Sequence, residues 1–384
     1  MDSIRRAAVL SAWALRSLPT RFGAPLTTIA SMTCAVMVFA ALLSMGEGLH
    51  TWATQGTRAD RVLLLSRGAP IPDVSVVSHQ VFSSVAGDPG IEEDLQGHPL
   101  VAAVATISLY VQTRAEKEGS VEILGITNPR VYPEIHVLRG RWPRAGLHEL
   151  VASSESEQLD KGLDIGDRVL IRGAPWTIVG TFANTGSYFD QVLFTDADTL
   201  LSAIGVSAYG QIVAILKSAG RFSQFAGRIQ HEPTLALDAY REATLREQTF
   251  GPTRRFLDFV SYFIGAILGA AAACAAVNGC YAAVDARRRE IRTLRAIGFG
   301  TPSIAASIVV EAVLLSLVGA CLGYLISWEL LNGRLITTRG LTFPLAIGPR
   351  EFAISAIWAI CIAVLASAPP VARAIRFLGS GSVA

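Results

Sequence analysis

Four apolar stretches, each long enough to cross a lipid bilayer, constrain this 384-residue chain more than any other feature. A membrane-spanning helix needs about 20 predominantly apolar residues. The stretches lie at 24–45, 260–284, 303–328 and 352–371, and Glu311 is the only charged residue within them. Charged residues make up 17% of the chain, against about 25% in a soluble domain. The sequence therefore predicts a multi-pass membrane protein with four transmembrane helices.

The arginines indicate on which side of the membrane each segment lies. With four spans, the leader before the first span, the loop between the second and third spans and the C-terminal tail share one side. These three segments hold Arg5, Arg6, Arg16, Arg21, Arg287, Arg288, Arg289, Arg292, Arg295, Arg373 and Arg376. Because short basic loops stay in the cytoplasm, both termini are predicted to be cytoplasmic, and Arg287 and Arg288 are assigned to membrane topology.

The long polar segment between the first two spans is predicted to fold as a domain rather than to form a linker. Six strand-like runs, separated by turn sequences, lie at 61–66, 101–113, 121–126, 168–173, 176–182 and 211–216. Helices are predicted at 153–163, at 196–204, and from Arg221 continuously into the second span. This mixed order predicts a large α+β extracytoplasmic domain inserted between transmembrane helix 1 and helix 2.

These observations divide the chain into nine segments. The prediction, in chain order, is a cytoplasmic amphipathic leader at 1–23, transmembrane helix 1 at 24–45, the extracytoplasmic domain at 46–255, transmembrane helix 2 at 256–284, a cytoplasmic loop at 285–302, transmembrane helix 3 at 303–328, a short extracytoplasmic loop at 329–351, transmembrane helix 4 at 352–372 and a cytoplasmic tail at 373–384. Two interpretations of the leader stay open: a helix lying on the membrane surface, or a flanking segment that only sets orientation.

The sequence carries no motif of a catalytic or metal site. No Gly-Lys pair occurs, so a Walker A phosphate loop cannot form, and the six histidines lack metal-binding spacing. A net charge of +2 is too small to indicate a nucleic-acid partner. The five cysteines all fall inside apolar runs and are interpreted as small buried hydrophobic residues. The chain is expected to be non-catalytic, without catalytic, cofactor-binding or metal residues.

Four residues inside the spans are predicted to act in helix packing. Gly319 and Gly323 form a GxxxG pattern, which lets two helices approach closely. Asn278 could hydrogen-bond between helices. Glu311 is an intramembrane carboxylate, and such residues are costly enough to suggest a function. It either pairs with an arginine or caps an adjoining helix, or it reaches toward the nearby interface.

The stretch RRREIRTLRAIGFG at 287–300 resembles the signature of MacB/FtsX-like ABC transporter permeases, roughly R-x-R-E-I-x-x-L-R-A-L-G. The resemblance continues in VVEAVLLSLVGACLG at 309–323, which places Glu311, Gly319 and Gly323 on family positions, and in ALLSMGEGL at 41–49. The segments 138–171 and 176–182 are similar to the family's extracytoplasmic core. Together these motifs follow the family order over nearly the whole chain.

The resemblance implies a permease subunit of the type VII class without a fused ATPase, in a bacterial inner membrane. Such permeases work as dimers, here of this chain or with a paralogous permease, on two copies of a separate ABC ATPase. ATP and Mg²⁺ are then bound by that ATPase, and this chain binds no cofactor. The family is known for mechanotransmission, in which ATP hydrolysis in the cytoplasm moves the extracytoplasmic domains.

The resemblance also implies a coupling helix in the basic loop that docks into a groove of the ATPase. The implied contact residues are Arg289, Glu290, Ile291, Leu294, Arg295, Ala296, Ile297 and Gly298. An apolar stripe formed by Ile291, Leu294 and Ile297 fits such docking.

Two functions are compatible with this family resemblance. The first is export or extraction of a substrate such as a lipoprotein, lipid, peptide or drug. The alternative is an FtsX-like regulator that activates an extracytoplasmic partner, such as a cell-wall hydrolase, without transport. The large extracytoplasmic domain favours transport. Its partners are then the ATPase, a second permease and the bilayer, either alone or with a periplasmic adaptor and an outer-membrane channel, and no nucleic acid.

Overall fold

The computed structural model describes residues 23–112, 118–154, 163–183, 188–286, 293, 301–338 and 341–379. These residues form two compact units. The helical unit comprises the described parts of Met1–Gly48, Arg254–Ile336 and Pro344–Ala384. The sheet unit comprises the described parts of Leu49–Thr253 and Thr337–Phe343.

The secondary-structure elements are numbered here in chain order. The α-helices of the described residues are α1 Gly23–Thr54, α2 His79–Ala86, α3 Ala197–Ile204, α4 Phe222–His231, α5 Glu242–Ala286, α6 Thr301–Leu331 and α7 Pro349–Gly379. The strands are β1 Arg61–Ser66, β2 Val101–Gln112, β3 Glu118–Ile126, β4 Val137–Gly140, β5 Glu149–Ser153, β6 Arg168–Ile171, β7 Ala174–Phe182, β8 Val192–Thr195, β9 Gln211–Ile215, β10 Leu237–Arg241, β11 Leu335–Thr338 and β12 Leu341–Pro344. Short 3₁₀ turns occupy Pro72–Val74, Pro129–Val131, Tyr188–Gln191 and Ala219–Arg221.

The helices α1, α5, α6 and α7 are long and apolar enough to cross a membrane, which confirms the predicted four-span fold. Two of them run well beyond the predicted spans. Helix α1 continues to Thr54, and α5 begins at Glu242, in a polar segment that hydropathy assigned to the domain. Glutamate, arginine and glutamine are good helix formers, so the loss of hydropathy there does not end the helix. At 1.5 Å per residue, α5 is about 68 Å long, more than twice the roughly 30 Å hydrocarbon core.

The sheet unit is built on one mixed sheet. Its strand order is β10-β1-β9-β2-β3-β8-β5-β7-β4, with β6 paired to β7. The pairs β3–β8 and β5–β7 are parallel, and the other pairs are antiparallel. All six predicted strand runs lie on strands of this sheet, so the α+β prediction is confirmed.

The helix predicted to run from Arg221 into the second span is confirmed over Phe222–His231 and from Glu242 onward, but the prediction that it is unbroken is wrong. Helix α4 ends at His231, and strand β10 precedes α5. Pro233 follows α4 closely, and a proline cannot supply the backbone N–H that a continuing helix needs. Strand β10 then pairs with β1 at the sheet edge, a partner some 175 residues earlier in the chain, from Val62 opposite Arg241 to Ser66 opposite Leu237. The predicted helix at 196–204 is confirmed as α3, and that at 153–163 lies mostly outside the described residues.

Apolar side chains cover both faces of this sheet. On one face Val62 and Leu64 join a cluster that includes the fully buried Trp176 and residues of α2, α3 and α4. On the other face, Leu63 and Leu65 join a second cluster that includes Leu245 of α5. Successive residues of a strand point to opposite faces, so one apolar strand such as RVLLLS supplies both layers.

The cysteines do not match their predicted burial. Four of them are exposed on the surfaces of the long helices, and Cys280 is half-buried. The exposed cysteines are Cys34, Cys274, Cys321 and Cys361. In a lipid-facing helix a small apolar residue has no need of protein neighbours, because the bilayer itself is an apolar solvent.

Candidate functional site

The predicted coupling residues lie between the end of α5 at Ala286 and the start of α6 at Thr301. That segment is outside the described residues except for Thr293. The residues concerned are Arg287, Arg288, Arg289, Glu290, Ile291, Leu294, Arg295, Ala296, Ile297 and Gly298. Their docking role stays a prediction.

Helix α6 packs on α1 through the two glycines of the GxxxG pattern. A Cβ on Gly319 would lie 2.8 Å from the backbone oxygen of Ile29, and one on Gly323 would lie 2.5 Å from that of Thr33. Both distances are shorter than any real carbon–oxygen contact, so the two backbones touch where a side chain would otherwise separate them. The pattern thus coincides with the crossing of α6 over α1.

Hydroxyl groups add hydrogen bonds at these helix contacts. The Thr33 hydroxyl donates to the Gly319 oxygen at 3.2 Å, and Ser327 Oγ donates to the Met37 oxygen at 2.9 Å. From α5, Ser261 Oγ donates to the Leu42 oxygen at 2.9 Å. In lipid there is no hydrophobic driving force between helices, so hydrogen bonds of this kind contribute to their association. They fix α1 against α5 and α6.

Aromatic packing brings α5 and α7 to the same central helix. The Phe39 ring of α1 stacks on Trp358 of α7, with ring centroids 4.8 Å apart. It also lies against α5, where a Cβ on Gly265 would come within 2.6 Å of the ring. Helix α1 is therefore the centre of the helical unit, contacted by each of the other three long helices.

An ionic cluster, here called the polar junction, joins three of these helices at one end of the apolar region. It consists of Glu47 on α1, Arg254 and Asp258 on α5, and Arg350 on α7. Glu47 Oε2 accepts from Arg350 Nη1 at 2.6 Å and lies 3.4 Å from Arg254 Nη2. Arg254 Nε is 3.9 Å from Asp258 Oδ2. One carboxylate thus links two arginines from separate helices.

Glycines on either side of Glu47 allow this arrangement. A Cβ on Gly46 would lie 2.3 Å from Asp258 Oδ1, and one on Gly48 would lie 2.2 Å from the backbone oxygen of Pro344. The sequence MGEG is thus explained by two close approaches around one acidic side chain. Glu351, which is 3% exposed, accepts from the Gly348 N–H at 2.8 Å and fixes the first turn of α7 that presents Arg350.

The polar junction is suited to holding helices rather than to catalysis. Glu47 and Arg254 are 26% and 24% exposed and Arg350 is 62% exposed, so the charges stay partly solvated. Arg254 Nε is buried and has no hydrogen bond to another described residue. Within the described part of the chain, no group of three or more His, Cys, Asp or Glu side chains is placed to hold a metal ion.

The other two predicted packing residues lie elsewhere on the helices. Glu311 on α6 is buried, at 9% exposure. Asn278 is exposed on α5, and its side chain makes no hydrogen bond within the described residues. The structure therefore groups Gly319 and Gly323 against α1, and it brings Asn278 to no hydrogen-bond partner in the part of the chain that it describes.

Sequence reasoning missed the polar junction. The available signal was a charged residue near the edge of three of the four apolar runs, namely Glu47 after the first, Arg254 before the second and Arg350 before the fourth. These residues lie together only if the ends of the three apolar runs meet, which hydropathy does not show.

Two family models match the chain in sequence. The model described as MacB-like periplasmic core domain matches residues 26–232, which is 207 of the 384 residues. The model described as FtsX-like permease C-terminal matches residues 262–377, which contain the last three apolar runs apart from two residues of the second. The matches follow one another along the chain in the order domain, then spans.

Two solved structures align with about half of the chain. The periplasmic region of MacB from Actinobacillus actinomycetemcomitans aligns with 50% of this chain and 94% of its own, at 11% identity and a TM-score of 0.40. The extracellular domain of the noncanonical ABC-type transporter YknZ from Gram-positive bacteria aligns with 47% of this chain and 99% of its own, at 16% identity and a TM-score of 0.37.

No curated protein sequence matches the chain significantly. The family assignment rests on the two family models, one of which alone covers more than half of the chain. The fold agrees with it, because four membrane-spanning helices carry an α+β domain between the first and the second. The chain therefore belongs to the MacB/FtsX-like family of ABC-type permeases.

Proposed function

We propose that this chain is the membrane subunit of a transporter in which a separate ATPase moves the sheet unit by mechanotransmission. This proposal rests on one observation, that two helices each continue without a break from one unit into the other. Helix α1 belongs to the helical unit up to Gly48 and to the sheet unit from Leu49 onward. Helix α5 belongs to the sheet unit up to Thr253 and to the helical unit afterwards.

Continuous helices transmit displacement because their backbone hydrogen bonds make them stiff along the axis. A flexible linker at these positions would absorb a movement of the spans instead of passing it on. Helix α5 also contains Pro252, next to the change of unit. A proline removes one backbone hydrogen bond, and helices bend at such points. Helix α5 is therefore stiff along its length, and Pro252 is the position where it would bend.

The polar junction supports the same mechanism. Through Glu47 it links α1, α5 and α7 to one another near the ends of their apolar runs. The two helices that enter the sheet unit are thus fastened to each other and to a third span. A shift imposed on one of them is shared by the others rather than lost as independent tilting.

The driving force is proposed to enter at the loop 285–302. Both chain termini and this loop lie in the cytoplasm in this scheme, and the sheet unit lies outside a bacterial inner membrane. Ile291, Leu294 and Ile297 dock into the ATPase, which binds ATP and Mg²⁺. Two ATPase copies serve two permeases, either two copies of this chain or this chain with a paralogue.

The cargo is proposed to be handled at the sheet unit, outside the membrane. Export or extraction of a lipoprotein, lipid, peptide or drug fits this scheme. The size of the sheet unit supports cargo handling, since a pure signal relay does not require a ten-stranded sheet.

Co-purification with the co-expressed cognate ATPase tests the proposal. Alanine in place of Ile291, Leu294 and Ile297 together is expected to abolish ATPase retention, because the apolar docking stripe is lost. Arg287→Gln with Arg288→Gln serves as the control, and it is expected to retain the ATPase while changing only the charge near the membrane. Both variants must reach the membrane fraction at wild-type level. Undiminished retention by the triple variant would refute docking through this loop.

A further inference from the structure

The sheet unit contains a cavity of about 230 Å³ that the proposed mechanism does not use. It lies between one face of the sheet, at strands β1, β2, β3 and β9, and the first turns of α5. A cavity of this volume is somewhat smaller than the roughly 300–1,000 Å³ of sites for drug-sized ligands. It therefore suits a smaller organic molecule.

The sheet face becomes polar where it borders the cavity. Neighbouring positions on this face carry buried apolar residues such as Val104, Leu124 and Val213, of which Leu124 also lines the cavity. Two residues along the same strands, on the same face, stand Thr106, Glu122 and Gln211, all of which line the cavity. Ser108, also in the lining, lies directly opposite Glu122 across the β2–β3 pair. Four polar side chains in one patch of an otherwise apolar face indicate a surface built for a polar group.

The side chain of Gln211 indicates which kind of polar group the cavity would bind. The residue is 6% exposed, and its Oε1 has no hydrogen-bond partner among the described residues. A buried acceptor without a donor destabilises a fold, and such exceptions ask for an explanation. A bound molecule that donates a hydrogen bond into the cavity satisfies this oxygen.

Glu122 adds a carboxyl group to the same patch. The Tyr188 hydroxyl donates to Glu122 Oε1, and Asp73 also lines the cavity. Burial raises the pKa of the Glu122 carboxyl, and the Asp73 carboxylate raises it further, while the Tyr188 hydrogen bond and Arg246 act in the opposite direction. A cation beside Glu122 would relieve the unfavourable burial of its charged form.

Arg246 is the basic residue of the cavity wall, but its charge is already balanced outside the cavity. Its guanidinium lies 3.9 Å from Glu242 and stacks 4.3 Å above the Tyr188 ring. Glu242 also pairs with Arg61 at 3.0 Å, and Arg61 pairs with Glu134 at 2.7 Å. The positive charges of the two arginines in this network balance the negative charges of its two glutamates. Among the described residues, no cation forms an ion pair with the carboxyl group of Asp73 or Glu122.

The remaining walls are apolar and aromatic. They include Leu63, Leu124, Tyr132, Phe189, Leu245 and Phe250. These side chains suit a hydrocarbon or aromatic body, and aromatic faces attract cations as well. The cavity thus offers an acidic, acceptor-rich end and an apolar end.

We propose that this cavity binds a small organic cation, a protonated amine on an apolar body. The ammonium group donates to Gln211 Oε1 and faces the carboxyl groups of Glu122 and Asp73. The apolar body lies against the leucines and aromatic rings. This assignment is independent of ATPase coupling, because it depends only on residues of the sheet unit.

Calorimetric titration of the full chain in detergent, with 2-phenylethylamine as the probe, tests the proposal. One saturable site per chain is expected. The neutral analogue 2-phenylethanol has nearly the same shape and should bind at least about tenfold more weakly, because charge-assisted hydrogen bonds are the stronger ones. Equal binding of the alcohol would show a merely apolar cavity, and no binding of the amine would show a cavity that holds only water. Either result overturns the proposal.

Three variants locate the site. Glu122→Gln and Gln211→Leu are each expected to weaken amine binding about tenfold or more, since each removes one partner of the ammonium group. Glu247→Gln is the control, because Glu247 is exposed on α5 outside the cavity lining, and it should bind as wild type. Thermal unfolding establishes that each variant is folded, and either cavity variant suffices if the other unfolds. Equal weakening by all three, or by none, contradicts the assignment.

Discussion

The interior of the helical unit and the interior of the sheet unit are stabilised by different interactions. In the sheet unit, large apolar side chains such as Trp176, Phe182 and Phe194 are fully buried on the two sides of one sheet. In the helical unit, Phe39 is also buried, but the helix backbones come into contact at glycines and are linked by hydroxyl groups, as at Gly323 and Ser327. Each unit is thus matched to its surroundings.

The difference follows from the solvent. Water drives apolar side chains together. Each Å² of apolar surface that is buried contributes about 25 cal/mol, so large apolar residues stabilise a core most. Lipid is as apolar as leucine, so large side chains gain little by leaving it. Helices in lipid instead gain from close backbone contact and from hydrogen bonds, both of which small residues permit.

Polar groups show the same contrast. The sheet unit buries Arg61 completely, with Glu242 at 3.0 Å and Glu134 at 2.7 Å. The helical unit keeps the charges of its polar junction partly exposed, with Arg350 at 62%. Fully buried charges depend strongly on their partners, whereas exposed pairs contribute little. Substitutions at the two places should therefore differ in size.

The largest effect is expected for Arg61→Ala. It leaves Glu242, which is 1% exposed, without its main cation, at a cost of about 3–5 kcal/mol in unfolding free energy. Hydrogen exchange of peptides from β1 and β10 measures this loss locally. Arg58→Ala is the matched control, since the Arg58–Asp60 pair is 38% and 25% exposed and should contribute at most about 1 kcal/mol. Equal losses in both variants would remove the contrast between buried and exposed charge.

The second effect compares one substitution in the two units. Gly323→Ala places a Cβ 2.5 Å from a backbone oxygen of α1 and should destabilise the α1–α6 contact by about 1–3 kcal/mol. Gly227→Ala in α4 meets open space and should stabilise that helix by up to about 1 kcal/mol, because alanine favours helix over glycine. Hydrogen exchange in α6 and in α4 reports the two changes. The same sign at both positions would contradict the account of close packing in the helical unit.

The smallest effect is expected for Glu47→Gln. The variant keeps the shape of the side chain but removes the charge shared by Arg254 and Arg350, which should cost at most about 1 kcal/mol. The wild-type melting temperature should fall more than that of the variant as salt rises, since salt screens exposed pairs. Glu329→Gln, an exposed residue of α6, is the control and should behave as wild type. Identical salt dependence in all three proteins would show that the junction does not fasten the helices.

Local sequence patterns predicted much of the fold. Hydropathy located four spans because a bilayer demands long apolar runs, and the strand RVLLLS was found with its bounds at 61–66. The extension of α1 to Thr54 was missed, because the segment GEGLHTWAT, with two glycines and two threonines, gives no helix signal. The helix that contains α5 was predicted, but its start was placed at Arg221 instead of Glu242. Strand β10 was missed because its pairing with β1 is a long-range contact.

The sites were harder to predict for the same reason. Glu47 is 207 positions from Arg254 and 303 from Arg350, so no local pattern links them. The cavity is formed by β2, β3, β9 and α5, and only the strand order brings Gln211 near Glu122. The GxxxG pattern was visible in sequence, but its partner helix was not.

We propose that this chain works as the membrane subunit of a complex whose ATPase is a separate polypeptide. The mass of the complex purified with its co-expressed cognate ATPase, in the same preparation used for the coupling-loop variants, tests this most directly. The account predicts two permease subunits with two ATPase subunits. A chain that stays monomeric and carries no ATPase under these conditions would contradict it.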